Sequence, residues 1–159
     1  MSASLEGDVV RLLVERGLTL AVAESCTGGL VGHRITGVPG SSACFRGGVI
    51  AYHNEVKAAL LGVPEEILER EGAVSEAVAL AMARGVRERL AAGLGVAVTG
   101  VAGPTGGTLE KPVGLVYVAL ADAAGARSRR HLWSGDRWQN KERSAEAALQ
   151  LLKEYLTSP

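Results

Sequence analysis

Residues 18–29 read LTLAVAESCTGG, a short apolar run that ends in a polar turn rich in glycine. The apolar run from Leu18 to Ala23 is typical of a buried strand, and Thr27 is placed to cap a helix that extends to about Thr36. A strand that leads directly into a helix is the repeating unit of an open α/β sheet. This stretch therefore predicts the fold class of the whole chain.

The alternation of helix and strand continues on both sides of this stretch. A helical stripe that begins at Leu5 stops at Gly17, and Ser75 is placed to cap a later helix. Asp136 with Gln139 is placed to form a capping box for the last helix. Further strands are predicted at residues 47–52, 95–99, 113–121 and 127–133. The short connection at residues 122–125 favours an antiparallel hairpin. The sequence thus predicts one domain over residues 1–159, a three-layer α/β/α sandwich with a mixed, mostly parallel five-stranded sheet and one antiparallel edge.

Composition excludes several classes of protein. Lysine plus arginine (17) balance aspartate plus glutamate (17), so no basic surface for nucleic acid or anionic membrane is predicted. No signal peptide or membrane span is apparent, and we expect a cytoplasmic protein with free thiols. The three histidines and two cysteines show no metal-ligand spacing, so no metal site is predicted. A homodimer is expected only because two-fold dimers are the commonest soluble oligomers.

Ser25 falls where the first strand runs into a helix, at the strand end where open α/β sheets usually bind ligands. Its hydroxyl is a candidate nucleophile, substrate ligand or turn residue. Thr27, Gly28 and Gly29 open the helix with unpaired N–H groups, which suit an anion or oxyanion. The alternative is that Ser25 and Thr27 only cap the helix.

Lys57 is the most unusual side chain of the next segment. If Asn54 caps the following helix, Lys57 occupies its third position, where the helix dipole disfavours a cation. That position predicts a lowered pKa, as a lysine acting as general base requires. Tyr52, at the end of the preceding strand, is placed to relay a proton or hold the amine. The alternative is an exposed lysine on a short surface helix.

A glycine-rich loop follows the third strand, and we predict that it binds substrate. It contains Thr99, Gly100, Gly103, Gly106 and Gly107. The loop matches neither the phosphate-binding loop of nucleoside triphosphatases nor the dinucleotide fingerprint. Its length favours a functional loop over a mobile connection without a ligand. Lys111 and Arg137 are candidates to hold a phosphate.

The chain resembles the CinA C-terminal domain family, whose stand-alone members are called PncC. The matching segments are residues 23–29, 39–43, 48–52, 54–57, 72–76, 97–104, 110–114 and 135–137. The resemblance implies a nicotinamide-nucleotide amidohydrolase, which converts nicotinamide mononucleotide and water to nicotinic acid mononucleotide and ammonia without a cofactor. It also implies a three-layer fold with a mixed five-stranded sheet. Larger family members carry an N-terminal domain, and we expect the activity of that domain to be absent here.

The resemblance implies a catalytic group at Ser42, Tyr52 and Lys57, with Ser25 close by. We therefore predict a metal-free serine amidohydrolase in which neutral Lys57, held by Tyr52, deprotonates Ser42; the choice between Ser42 and Ser25 stays open. Backbone N–H groups near Thr27 to Gly29 would stabilise the oxyanion, and Arg137 with the glycine-rich loop would hold the phosphate. The alternatives are a catalytically silent nucleotide-binding or regulatory module, or an amidohydrolase for another small nucleotide.

Overall fold

The computed structural model describes residues 4–159, which form five strands and six α-helices. The elements, in chain order, are α1 (Leu5–Glu15), β1 (Leu20–Glu24), α2 (Leu30–Thr36), β2 (Phe45–Ile50), α3 (Asn54–Leu61), α4 (Glu65–Glu71), α5 (Glu76–Arg89), β3 (Leu94–Gly100), β4 (Leu115–Ala121), β5 (Ala126–Leu132) and α6 (Arg137–Thr157). A 3-10 turn at Ser41–Ala43 precedes β2. The predicted alternation of helices and strands is confirmed.

The five strands form one mixed sheet in the order β2-β1-β3-β4-β5. Strand β1 pairs in parallel with β2 and β3, whereas β4 pairs antiparallel with β3 and β5. Four strands therefore run in one direction and β4 runs against them. The β4–β5 hairpin makes the predicted antiparallel edge: β5 is the outermost strand, and the reversed strand β4 lies beside it because no helical crossover separates β3 from β4.

Helices cover both faces of the sheet and make the predicted three layers. Helices α1, α2 and α6 pack on one face, where Leu13, Val22, Val96 and Leu149 belong to one buried cluster. Helix α5 lies on the other face with α3 and α4 against it, over a second cluster that contains many alanines. Small strand residues let α5 approach closely: a Cβ atom on Gly95 would lie 2.2 Å from a backbone oxygen of α5. Both faces of the three central strands, β1, β3 and β4, are thus buried, as their continuous apolar sequences require.

Two predicted helix caps are correct. The Ser75 hydroxyl accepts from the Val78 N–H, and Asp136 with Gln139 forms the predicted capping box of α6. Two other predicted caps are wrong by one or two residues along the chain. Helix α2 starts at Leu30 after a turn, so Thr27 does not cap it, and α3 begins at Asn54 with His53 as its cap residue. Local cap preferences therefore indicated these helices but not their first residues.

Parallel pairing brings the carboxyl ends of β1, β2 and β3 to the same edge of the sheet, meaning here the edge formed by strand ends and not by an outermost strand. The β4–β5 hairpin turns at the opposite edge and returns the chain to this edge at Leu132, from which α6 starts. The segments that follow β1, β2 and β3 and the first turn of α6 therefore meet in one place. This is the edge at which open α/β sheets bind ligands.

Candidate active site

A cavity of about 370 Å³ opens at the carboxyl ends of β1, β2 and β3. Its lining includes eight of the residues singled out from the sequence: Ser25, Tyr52, Lys57, Thr99, Gly100, Gly103, Gly106 and Arg137. They come from four separate segments of the chain. The fold thus collects most of the predicted site at a single cavity.

Lys57 and Ser25 form a buried pair of polar side chains in this cavity. The Lys57 Nζ atom lies 3.1 Å from the Ser25 Oγ atom and donates a second hydrogen bond, of 2.9 Å, to the Tyr52 backbone carbonyl. Both side chains are buried, and only 1% of the Lys57 surface is exposed to solvent. A hydroxyl and an amine at this distance can exchange a proton, which is the arrangement that a nucleophile and its base require.

Burial lowers the pKa of Lys57, because the cavity wall removes water that would stabilise an ammonium. Within residues 4–159 no carboxylate forms an ion pair with it. The predicted direction of the shift is therefore correct, but the predicted position is not. Because α3 begins at Asn54, Lys57 is the fourth helical residue rather than the third, and desolvation is the main cause.

Tyr52 holds the Lys57 amine, as expected, but through its backbone rather than its phenol. Its backbone carbonyl holds the Lys57 amine, whereas its hydroxyl accepts a 3.1 Å hydrogen bond from Arg137. Arg137 also donates to the Gly103 carbonyl at 2.7 Å. Arg137 therefore joins the segment after β2 to the glycine-rich loop across the rim of the cavity.

The turn between β1 and α2 contains unused backbone donors. Glu24 is buried, and its carboxylate accepts from the N–H groups of Val31 and Gly32 at 2.8 and 3.0 Å. The first turn of α2 is therefore already occupied by a side chain. Within residues 4–159, the N–H groups of Cys26, Thr27 and Gly29 donate to no protein acceptor. The Cys26 and Thr27 N–H groups follow Ser25 directly and are the donors nearest to it in the chain.

Two buried polar side chains fix the glycine-rich loop. The Thr99 hydroxyl donates to the Ala73 carbonyl at 2.8 Å, so it ties the end of β3 to the segment before α5. Asn140 of α6 donates to the carbonyls of Ala102 and Gly135 and accepts from the Gly135 N–H, each at 3.0 Å. Sequence reasoning missed Asn140. The available signal was a polar residue on the buried stripe of α6, one turn before Ser144.

Ser42 is not brought to this cavity. It is exposed in the turn before β2, whereas Tyr52 and Lys57 follow β2. The six residues of β2 span roughly 20 Å, at about 3.3 Å each, so Ser42 lies near the opposite edge of the sheet. Within one chain, Ser25 and not Ser42 is therefore the hydroxyl within reach of Lys57.

Other predicted binding residues lie beside the cavity rather than in its lining. Gly28 and Gly29 belong to the turn next to it, and Gly107 packs against Val113. The Thr27 hydroxyl is buried without a hydrogen-bond partner. Lys111 donates to the Glu71 carbonyl at the end of α4, so it holds the glycine-rich loop from outside.

Cys26 adjoins Ser25 but is poorly suited to act as a nucleophile. Burial raises the pKa of its thiol to about 12, and the nearby Glu24 carboxylate adds to this rise. The thiolate is the reactive form of cysteine, and this environment disfavours it. Ser25 is therefore the better candidate of the two adjacent residues.

Residues 4–159 contain neither a cluster of metal-ligating side chains nor a helix suited to cross a membrane. No three side chains of histidine, cysteine, aspartate or glutamate converge there as a metal centre would need. None of the helices in this range combines the length and the apolar character that crossing a membrane requires.

Comparison with protein families and curated sequences shows extensive similarity. Residues 2–156 match the family model described as "CinA C-terminal domain". The chain is 54% identical over 154 residues to a "Putative competence-damage inducible protein" of Halothermothrix orenii, with 96% of this chain and 37% of that protein covered. It is 56% identical over 156 residues to a "CinA-like protein" of Thermosynechococcus vestitus, with 96% and 38% covered. The chain thus spans little more than a third of the length of these relatives.

Solved structures show the same fold over almost the whole chain. A competence/damage inducible protein from Agrobacterium tumefaciens superposes with a TM-score of 0.90 at 37% identity, covering 99% of this chain and 100% of that one. The competence damage-inducible protein A of Klebsiella pneumoniae superposes with a TM-score of 0.93 at 34% identity, covering 96% and 94%. Sequence and structure agree: the chain belongs to the CinA C-terminal domain family.

Proposed function

We propose that the protein is a nicotinamide-nucleotide amidohydrolase that converts nicotinamide mononucleotide and water to nicotinic acid mononucleotide and ammonia. The observation that carries this proposal is the buried contact of 3.1 Å between Lys57 Nζ and Ser25 Oγ. An amine with a lowered pKa beside a serine hydroxyl is a base and nucleophile pair for acyl transfer. The resemblance to the family supplies the substrate, and the site geometry supports the type of reaction.

In the proposed first step, neutral Lys57 accepts the proton of Ser25 while Ser25 Oγ attacks the carboxamide carbon. The carbonyl oxygen becomes an oxyanion, for which the free N–H groups of Cys26 and Thr27 are the proposed donors. As the intermediate collapses, the carbon–nitrogen bond breaks and protonated Lys57 returns its proton to the departing nitrogen. Ammonia leaves, and an ester between the nicotinoyl group and Ser25 remains.

In the second step, a water molecule gives a proton to Lys57 and attacks the ester carbon. Collapse of this intermediate breaks the bond to Ser25 Oγ, which takes the proton back from Lys57. The acid product and the free serine result, so Lys57 acts alternately as base and acid. Its contact with the Tyr52 carbonyl keeps the amine beside Ser25 throughout.

Ammonia release from nicotinamide mononucleotide by the purified protein tests this proposal. We expect release by the wild type, loss of release in Ser25→Ala and near-normal release in Ser42→Ala, the matched control on an exposed serine. Release should persist with a metal chelator, as the metal-free mechanism requires. Substrate binding without release would favour a binding or regulatory module, and release only from other nucleotide amides would favour a different substrate. Activity of Ser25→Ala equal to wild type would contradict the assignment of the nucleophile.

A further inference from the structure

The cationic groups beside the cavity are not equally available to a ligand. Arg137 already donates to the Gly103 carbonyl and the Tyr52 hydroxyl, so its guanidinium serves as a clamp between two segments. One helical turn further along α6 stands Lys141, on the same side of the helix. The two cations therefore follow one another along one side of α6. Arg137 lines the cavity, whereas Lys141 stands beyond its lining and donates to no protein acceptor within residues 4–159.

Lys141 is a half-buried lysine that is held in a defined place. Its Nζ atom lies 5.6 Å from the centre of the Trp138 ring, and 3.6 Å from the point where a Cβ atom on Gly28 would stand. No carboxylate within residues 4–159 forms an ion pair with it. The nearby carboxylate of Glu24 is committed to the backbone of α2. The Lys141 charge therefore lacks a protein counter-ion.

The surface that faces Lys141 is bare backbone. Gly28 is exposed and has a φ of +62°, a conformation that favours glycine, so no side chain at position 28 covers the ammonium. The N–H group of the neighbouring Gly29 is free within residues 4–159. On the other side of Gly28 the same turn leads to Cys26, which lines the cavity. A ligand attached to Ser25 would have to extend past the cavity lining and over Gly28 to contact Lys141.

We propose that Lys141, across from the Gly28 backbone, binds the phosphate of the substrate and thereby selects mononucleotides over the corresponding nucleosides. This inference rests on the proposed function, because it assigns the phosphate end of the same substrate. The reacting amide lies at Ser25 and Lys57, and the phosphate lies at the far end of the ribose, over Gly28. An ammonium and a backbone N–H are both strong donors to phosphate oxygens. Arg137 then shapes the rim of the cavity instead of holding the phosphate.

Binding measurements in the Ser25→Ala background, where turnover is prevented, test this inference. Nicotinamide mononucleotide and nicotinamide riboside are titrated by calorimetry into this protein and into its Lys141→Gln, Lys141→Arg and Arg143→Ala derivatives. Arg143 is the matched control, since it is an exposed cation two residues away that lies against Gly135 rather than Gly28. We expect Lys141→Gln to weaken mononucleotide binding by about tenfold to hundredfold, the value of one hydrogen bond to a charged group. Riboside binding should be unchanged, Lys141→Arg should keep most of the affinity, and Arg143→Ala should equal its parent.

Equal weakening of both ligands in Lys141→Gln would overturn the inference, and so would an unchanged affinity for the mononucleotide. If neither nicotinamide ligand binds, the proposed function is wrong. Inorganic phosphate then becomes the probe, and its binding is measured by the broadening of its phosphorus NMR line. Broadening that is lost in Lys141→Gln but kept in Arg143→Ala would support the phosphate site with another substrate. Absence of broadening in the parent protein would refute it.

Discussion

Replacement of Lys57 by methionine tests the proposed chemistry most directly. Methionine has a similar length and suits the buried site, but it cannot accept the Ser25 proton. A positioned general base contributes about 10²- to 10⁴-fold, equivalent to about 3–5 kcal/mol in the barrier. We therefore expect Lys57→Met to lower kcat by at least about a hundredfold in the ammonia-release assay. The folded state should be retained in thermal unfolding, because the substitution removes a desolvated amine.

Two controls make this prediction specific. Lys153→Met removes a surface lysine that pairs with Asp8, and it should leave kcat unchanged. The double variant Ser25→Ala with Lys57→Met should be no slower than the slower single variant, because nucleophile and base act as one unit. More than a tenth of wild-type activity in Lys57→Met would refute the reasoning. So would losses that multiply in the double variant.

The pH dependence provides a second test of Lys57. The catalytic form is the neutral amine, so kcat/KM should rise with pH through the Lys57 pKa, which burial places below its ordinary value of 10.5. Between the folded-state pKa and 10.5 the unfolded chain binds more protons than the folded chain. Wild-type stability should therefore increase relative to Lys57→Met as pH rises through that range. A pH profile without this rise would argue against Lys57 as the base.

Three further predictions concern the surroundings of the site. Cys26 should resist alkylation at pH 8 in the folded protein but not after denaturation, because burial raises its pKa to about 12. Mass spectrometry measures the alkylated fraction, and rapid alkylation of the folded protein would contradict this prediction. Asn140→Leu should cost roughly 1–3 kcal/mol for each carbonyl left unpaired and speed hydrogen exchange at residues 101–107. Ser144→Ala removes a hydroxyl that bonds to Trp133 and to the Asn140 carbonyl but not to that loop, and it should not speed this exchange. Gly85→Ala would bring a Cβ atom to 1.9 Å from the Leu61 carbonyl oxygen. It should lower the free energy of unfolding, measured with denaturant, by about 1–3 kcal/mol or more. In the control Gly125→Ala the new Cβ atom meets nothing within 4 Å, so stability should be unchanged.

The order of the elements was predictable because each has a clear local pattern. Apolar runs of strand length alternate with stripes of helical period, and capping residues such as Ser75 and Asp136 mark where helices start. The first residues of α2 and α3 were not predictable in this way. A turn with left-handed glycines precedes α2. The first N–H groups of the helix, those of Val31 and Gly32, donate to the Glu24 carboxylate at the end of the preceding strand. This is a contact between elements, which cap preferences do not report.

Site prediction was strongest where topology supported it. Ser25 and Lys57 follow β1 and β2, and Thr99 lies at the end of β3. These strands pair in parallel, so the meeting of the three residues follows from strand direction. Ser42 precedes its strand, and the same rule would have placed it at the other edge. The burial that lowers the pKa of Lys57 depends on packing between distant segments. The position of Lys141 depends on the geometry of α6. The local sequence therefore shows neither the burial of Lys57 nor the place of Lys141.

The β4–β5 hairpin sets the distance between the sheet and the start of α6. Its strands pair without interruption from Leu115 with Leu132 to Ala121 with Ala126, and α6 begins five residues after β5. An extra residue within β5 would displace the start of α6 by about 3.3 Å and turn the later side chains of β5 to the opposite face of the sheet. Extra residues at the turn of 122–125, on the far edge, would not be transmitted to the cavity. That turn is therefore the place in the chain for attaching a reporter or a fused domain without disturbing the proposed chemistry.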